Sequence, residues 1–167
     1  MKKATTALLI IITLACTSMV TTAQPPAGKY NTTDYPEDRK AIELIKRLPD
    51  SLQHLNDDYI AVGPEGKISY GFEQWKKGFT DNGATFKSVT PVPGMYVLRI
   101  YNGDAAVSHN VLDVVFATPN GDMNIRVIRM ECYIKTNGKW YFVQGQGTRP
   151  LSKEEIEEMA KKMMKKN

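Results

Sequence analysis

The chain is poor in the residues on which most metal and redox chemistry depends. Its 167 residues include two cysteines, Cys16 and Cys132, and two histidines, His54 and His109, far apart in sequence. No zinc-type ligand spacing exists among them. Cys16 falls in an amino-terminal leader, which leaves Cys132 alone and excludes an internal disulfide. Cys132 stands in the run MECYI, where a small apolar filler is the expected role. There is no glycine-rich phosphate loop, because GQGT ends a strand without the lysine and helix such loops need. No serine occupies a nucleophile elbow. Neither a cofactor nor a metal is therefore expected. No long apolar run is present, since the stretch from Ala7 to Cys16 is too short to span a bilayer. A basic groove is missing too. Without residues 1–23, Lys+Arg falls from 22 to 20 against 18 acidic residues, a net charge of +2, and much of the remaining basicity lies in KKMMKK at the carboxyl end. Nucleic acid is not an expected partner.

What is present begins with a secretory signature. MKK, the apolar stretch, and the small residues Thr21, Thr22 and Ala23 read as a signal peptide over 1–23, so an exported protein, periplasmic or secreted, is expected. A competing reading lipidates Cys16 in TLAC, although Thr13 stands where an aliphatic residue is usual. Residues 24–35 read as an extended leader, 36–150 as one domain large enough to bury a core, and 151–167 as an added helix.

Within the domain, DYPEDRKAIELIKRL carries an early proline, leading acids and Ile42, Ile45 and Leu48 at helical spacing, and it ends at Pro49. SLQHLND supplies a further short turn of helix. DDYIAVGPEGKISYG reads as strand, turn and strand, and FEQWKKGF as a helix with Phe72, Trp75 and Phe79 on one face. Beyond Ala84 the chain reads as β: a strand broken near Pro91–Gly94, then three strands turning at PNGD and at Asn137-Gly138, an antiparallel meander. LSKEEIEEMAKKMMKKN is a final helix opened by a Ser152/Glu155 capping box, with Ile156, Met159, Ala160 and Met163 as its stripe. That stripe suits docking on the domain or on a second subunit, or contact with a membrane surface. Membrane contact is expected only through this helix or a lipidated Cys16.

Helices first, a bent sheet afterwards, DDYIAVGPEGKISYGFEQW, NGDAAVSHNVLDV and NGKW at the last turn give a chain that resembles the nuclear transport factor 2-like superfamily, closest to its SnoaL-like and related bacterial families. The resemblance covers roughly Glu37 to Thr148. It implies an α+β, cystatin-like cone in which a curved antiparallel sheet wraps around the amino-terminal helices and leaves a cavity at its open end. Family members often carry a basic or titratable residue on the next-to-last strand and histidines near the end of the last. Here Glu131 stands at the first position and Gln144 and Gln146 at the others, a departure that weighs against histidine-based chemistry and against anion binding through an arginine at that position.

A two-residue Asn137-Gly138 turn pairs Lys135 with Trp140, Tyr133 with Phe142, Glu131 with Gln144 and Arg129 with Gln146. Alternation then places these eight side chains on one face. Buried, Glu131, Arg129, Tyr133, Gln144 and Gln146 form the polar end of a cavity, with Glu131 as acceptor or base; exposed, they are a solvated face. In AVSHNVLDVV, His109 and Asp113 share one parity and Ser108 and Asn110 the other, and either parity can line the cavity. Trp75 is a candidate wall residue. Three functions follow. The first is a domain binding a small, partly apolar molecule. The second is a ketosteroid-isomerase-like or SnoaL-like enzyme in which Glu131, Asp113 or His109 handles a proton. The third is a homodimerisation module that uses the outer sheet face and the carboxyl-terminal helix.

Overall fold

The computed structural model describes residues 32–55 and 58–164. The expected signal peptide, Cys16 and most of the 24–35 leader lie outside the described residues. Helix α1 (Pro36–Ile45) starts with Pro36 in its first turn and with Glu37 and Asp38 beside the helix amino terminus, where their charge opposes the helix dipole. It buries Ile42 and Ile45 and gives way to two turns before Pro49. Helix α2 (Asp50–Gln53) is a single turn. Strands β1 (Ile60–Val62) and β2 (Ile68–Tyr70) form the expected hairpin. Gly71, at φ 88°, then redirects the chain into α3 (Phe72–Thr80), a backbone angle that favours glycine.

β3 (Thr85–Pro91) and β4 (Val97–Tyr101) are the two halves of the stretch broken at the prolines. Both pair with β5 (Ala105–Thr118), β4 along Ala105–His109 and β3 along Leu112–Ala117. β5, β6 (Gly121–Thr136) and β7 (Lys139–Thr148) form the antiparallel meander foreseen from the turns. The curved, open sheet runs β2-β1-β7-β6-β5-β3, with β4 also on β5. It is mixed rather than wholly antiparallel, because β1 runs parallel to β7 through Ile60↔Gln144, Ala61↔Gly145 and Val62↔Gln146. α2, β2 and α3 make no local signal for that pairing; it joins segments more than eighty residues apart.

Among the described residues, helices pack on one face of the sheet. Ile42 and Ile45 of α1 pack with Tyr59, Leu98, Ala106, Tyr133, Trp140 and Phe142, while Val114, Phe116 and Val127 form a second cluster under Phe79. Helix α4 (Lys153–Met164) has the expected capping box: Ser152 N–H donates to Glu155 Oε2 at 2.8 Å, and Glu155 N–H to Ser152 Oγ at 3.2 Å. It buries no residue, and Ile156, Met159 and Met163 stay at least half exposed. The expectation of docking on its own domain is not met.

Candidate functional site

On the helix-covered face β5 and β6 bring Ser108 opposite Glu131 and Asn110 opposite Arg129. Glu131 is 4 % exposed and gathers four donors. Lys46 Nζ, at the end of α1, lies 2.7 Å from Oε2, Tyr133 OH donates to the same oxygen at 2.8 Å and Ser108 Oγ at 3.2 Å, and Arg129 Nε reaches Oε1 at 3.3 Å. Burial alone pushes the carboxyl pKa up, but Lys46, Arg129 and Tyr133 outweigh it and hold the group below the usual carboxylate range. Burial and the adjacent carboxylate in turn push the Tyr133 phenol well up, and burial carries Tyr96 up to about 12. Arg129 also donates from Nη2 to Tyr59 OH at 3.5 Å and lies over the Phe142 ring. Asn110 Oδ1 is buried without a partner among the described residues.

Gln144 and Gln146 do not belong to this cluster. The register agrees with expectation as far as Tyr133↔Phe142, after which Cys132 faces Gln144, Glu131 faces Gly145, Met130 faces Gln146 and Arg129 faces Gly147. Val143 is an extra residue, a bulge that flips the following side chains to the other face. Gly145 shows what the flip accomplishes. A Cβ there would stand 2.1 Å from Arg129 Nη2 and 2.7 Å from Cζ, so the missing side chain is the seat of the guanidinium. Without the bulge, a glutamine would occupy that seat.

The outer face gathers the other candidates. Two cross-strand rows run over six strands: Ile68, Val62, Gln146, Met130, His109 and Val97, and beside it Tyr70, Ile60, Gln144, Cys132, Val107 and Arg99. His109 is thus exposed on the outer face. Asp113 shares that face and is held by Arg126, whose Nε and Nη2 reach its two oxygens at 2.7 and 2.9 Å; this contact lowers its pKa. Neither residue joins Glu131, so the expected His109 and Asp113 proton chemistry has no place in the cluster. Of that strand, Ser108 and Asn110 point inward. Trp75 packs on the main core, edge-on to Tyr59 with centroids 6.3 Å apart, as a wall of aromatic packing.

Reasoning from sequence missed Lys46, Tyr59 and His54 as members of the site. Ser108 stands on the parity of Asn110, the one that points inward; Lys46 joins from α1 and carries no local signal. His54 is 6 % exposed, stacked on Phe72 at 4.3 Å, and its Nδ1 donates to the Phe142 carbonyl at 2.9 Å. Nε2 has no partner among the described residues, and burial lowers the ring's pKa, which favours the neutral imidazole. His54 also borders a groove of about 1120 Å³ between α1, α2, the start of α3 and the tip of the β6–β7 hairpin. None of the catalytic or binding candidates named from the sequence lines it. Among the described residues no cluster of His, Cys, Asp and Glu could hold a metal, and no helix is long and apolar enough to cross a membrane.

No protein-family model and no curated protein matches the sequence. Solved structures do. An uncharacterised protein with a cystatin-like fold from Caulobacter vibrioides superposes with a TM-score of 0.54 at 16 % identity, covering 73 % of this chain and 95 % of that one. This chain has the nuclear transport factor 2-like fold. A nuclear transport factor 2-like protein of unknown function in nutrient uptake from Rhodospirillum rubrum gives 0.52 at 18 % identity, over 70 % and 96 % of the two chains. A candidate Ca/calmodulin-dependent kinase II association domain from Exiguobacterium sibiricum gives 0.53 at 13 % identity, over 77 % and 98 %.

Proposed function

We propose that the protein is a self-association module that pairs through the outer face of its sheet. The observation that carries this reading is the pair of register rows just described. They present valine, isoleucine, methionine, cysteine and tyrosine around two neutral glutamines and a histidine, with a single charge, Arg99, at the β4 edge, and no described helix covers them. Ile60, Ile68, Tyr70 and Ile128 are 38, 48, 67 and 43 % exposed, a contiguous apolar surface of the kind that marks interaction sites. The candidate association domain among the structural neighbours supports it. In sedimentation velocity the chain should run as a dimer or larger at micromolar concentration, and Met130→Glu should run as a monomer with its fold intact. A chain that is monomeric at every concentration would remove the reading. The leader expected over 1–23 would carry this module out of the cytoplasm, which amino-terminal sequencing of the mature protein, with a start near Gln24, would check.

A second reading, a small-molecule site on the helix-covered face, rests on Asn110 Oδ1, a buried acceptor without a partner among the described residues, on the strand position directly opposite Arg129. A ligand there would offer a donor to Asn110 and an acceptor to Arg129. Benzoate and benzamide, added to a thermal melt, should raise the midpoint of the wild type and leave Arg129→Met unmoved. Proton-shuttle enzymology gains less, because every observed contact of Glu131 stabilises its ionised form.

A further inference from the structure

Besides the outer sheet face, two surfaces lack a partner among the described residues: the stripe of α4 and the groove between α1 and α2. A helix of twelve residues is marginal alone in water, so α4 needs a surface to pack on. The groove offers Leu48 and Leu52, 40 and 55 % exposed, above His54 and Phe72. Their charges also match. Asp38 and Asp50 are neutralised within the groove by Lys135 and Lys76, while Glu37 and Glu73 have no ion-pair partner among the described residues. Helix α4 ends beside Met163 in Lys161, which has no ion-pair partner among the described residues, and in Lys162, whose exposed Nζ lies 2.7 Å from Glu158 one turn back and can exchange that solvent-exposed pair for another. The chain cannot readily fill its own groove. The groove lies at the start of β7, at Lys139–Tyr141, whereas α4 leaves from the far end of that ten-residue strand, about 30 Å away by strand rise. Arg149 pins the helix start there through both oxygens of Glu155, at 3.1 and 2.9 Å.

We propose that α4 of one copy seats its Ile156–Met159–Met163 stripe in the α1–α2 groove of a second copy, with Lys161 and Lys162 directed to Glu37 and Glu73. This rests on the self-association reading and adds a reciprocal exchange of helices to the sheet-to-sheet contact. It is tested by coexpressing two full-length chains in which Cys16 and Cys132 are replaced by serine, one carrying Met159→Cys and the other Leu52→Cys. The mixture is treated with a short bismaleimide. The expected product is a species of twice the chain mass, several-fold more abundant in the mixture than in either variant alone. Absence of that product while sedimentation still reports a dimer would overturn the exchange and leave the outer-face contact standing. A cross-link formed only within a single chain carrying both cysteines would place the helix on its own groove and also overturn it. A monomer in sedimentation would remove both ideas together.

Discussion

On the helix-covered face of β6, Glu131 keeps four donors within 3.3 Å. On the outer face Gln144 and Gln146, paired with the adjacent residues Cys132 and Met130, make no side-chain hydrogen bond among the described residues. The buried group is the charged one and the half-exposed groups are the neutral ones. The difference follows from the cost of burial. An ionised carboxylate stays in a low-dielectric interior only when surrounded by donors, and this one has two cations and two hydroxyls. Amides that remain half in water need no such enclosure. They can lie in an apolar face without opposing its contact with another copy, which charges at those positions would do. The helix-covered face thus encloses its charge within one chain, while the outer face leaves its amides without side-chain partners among the described residues.

Removing the enclosed charge should have the largest effect. Glu131→Ala leaves Arg129, 16 % exposed, beside Lys46, 45 % exposed. Because Lys46 can turn to water, the loss belongs at the lower end for a broken buried pair, about 3 kcal/mol, readable from urea unfolding. Association should persist under native conditions, since no outer side chain changes. Gly145→Ala comes next. Its Cβ would displace the Arg129 guanidinium, a flexible group, at a cost of about 1–2 kcal/mol by overpacking, and adding Arg129→Ala should recover part of it. On the other face, Met130→Ala should change the stability of the isolated subunit by about 1 kcal/mol at most, yet weaken association visibly in a dilution series. The contrast fails if Met130→Ala damages folding as much as Glu131→Ala.

Acidity sharpens the same contrast. The folded His54 pKa lies below its ordinary value of 6.5, so its neutral form is favoured on folding. That contribution is fully present above pH 6.5 and is lost as pH falls from there toward the folded value, because the unfolded chain takes up the proton first. His54→Gln should flatten the stability curve between pH 7 and 5. The folded Glu131 pKa is also depressed, so its contribution is lost only at lower pH, as pH falls through the folded carboxyl value. The smallest effect belongs to Asp113→Asn, whose partner Arg126 is solvent-exposed: the melting temperature should not move measurably.

Much of the architecture was legible in the residues. Asn137-Gly138 marks its hairpin, Pro36 with Glu37 and Asp38 marks α1, and Ser152 with Glu155 marks α4, since each depends on chemistry within a few positions. The parallel β1–β7 pair was not legible, because Ile60 and Gln144 carry no mutual sign in sequence. The candidate site was half legible. Glu131, Arg129 and Tyr133 were grouped correctly from alternation, but one extra residue, Val143, inverts the parity beyond it, and VQGQG alternates acceptably in either phase. Its glycines held the clue: Gly145 belongs opposite Glu131, where it makes room for the Arg129 guanidinium, Gly147 opposite Arg129, and the glutamines therefore opposite Met130 and Cys132.

Methyl cross-saturation tests the outer-face contact most directly. In a mixture of deuterated, methyl-labelled chains with protonated ones, saturation of the protonated copy should attenuate the methyls of Met130, Ile128, Val107 and Ile60 and spare those of Ile42 and Leu98. If attenuation passes over those four outer methyls, the sheet face is not where two copies meet, and the account is wrong at its centre.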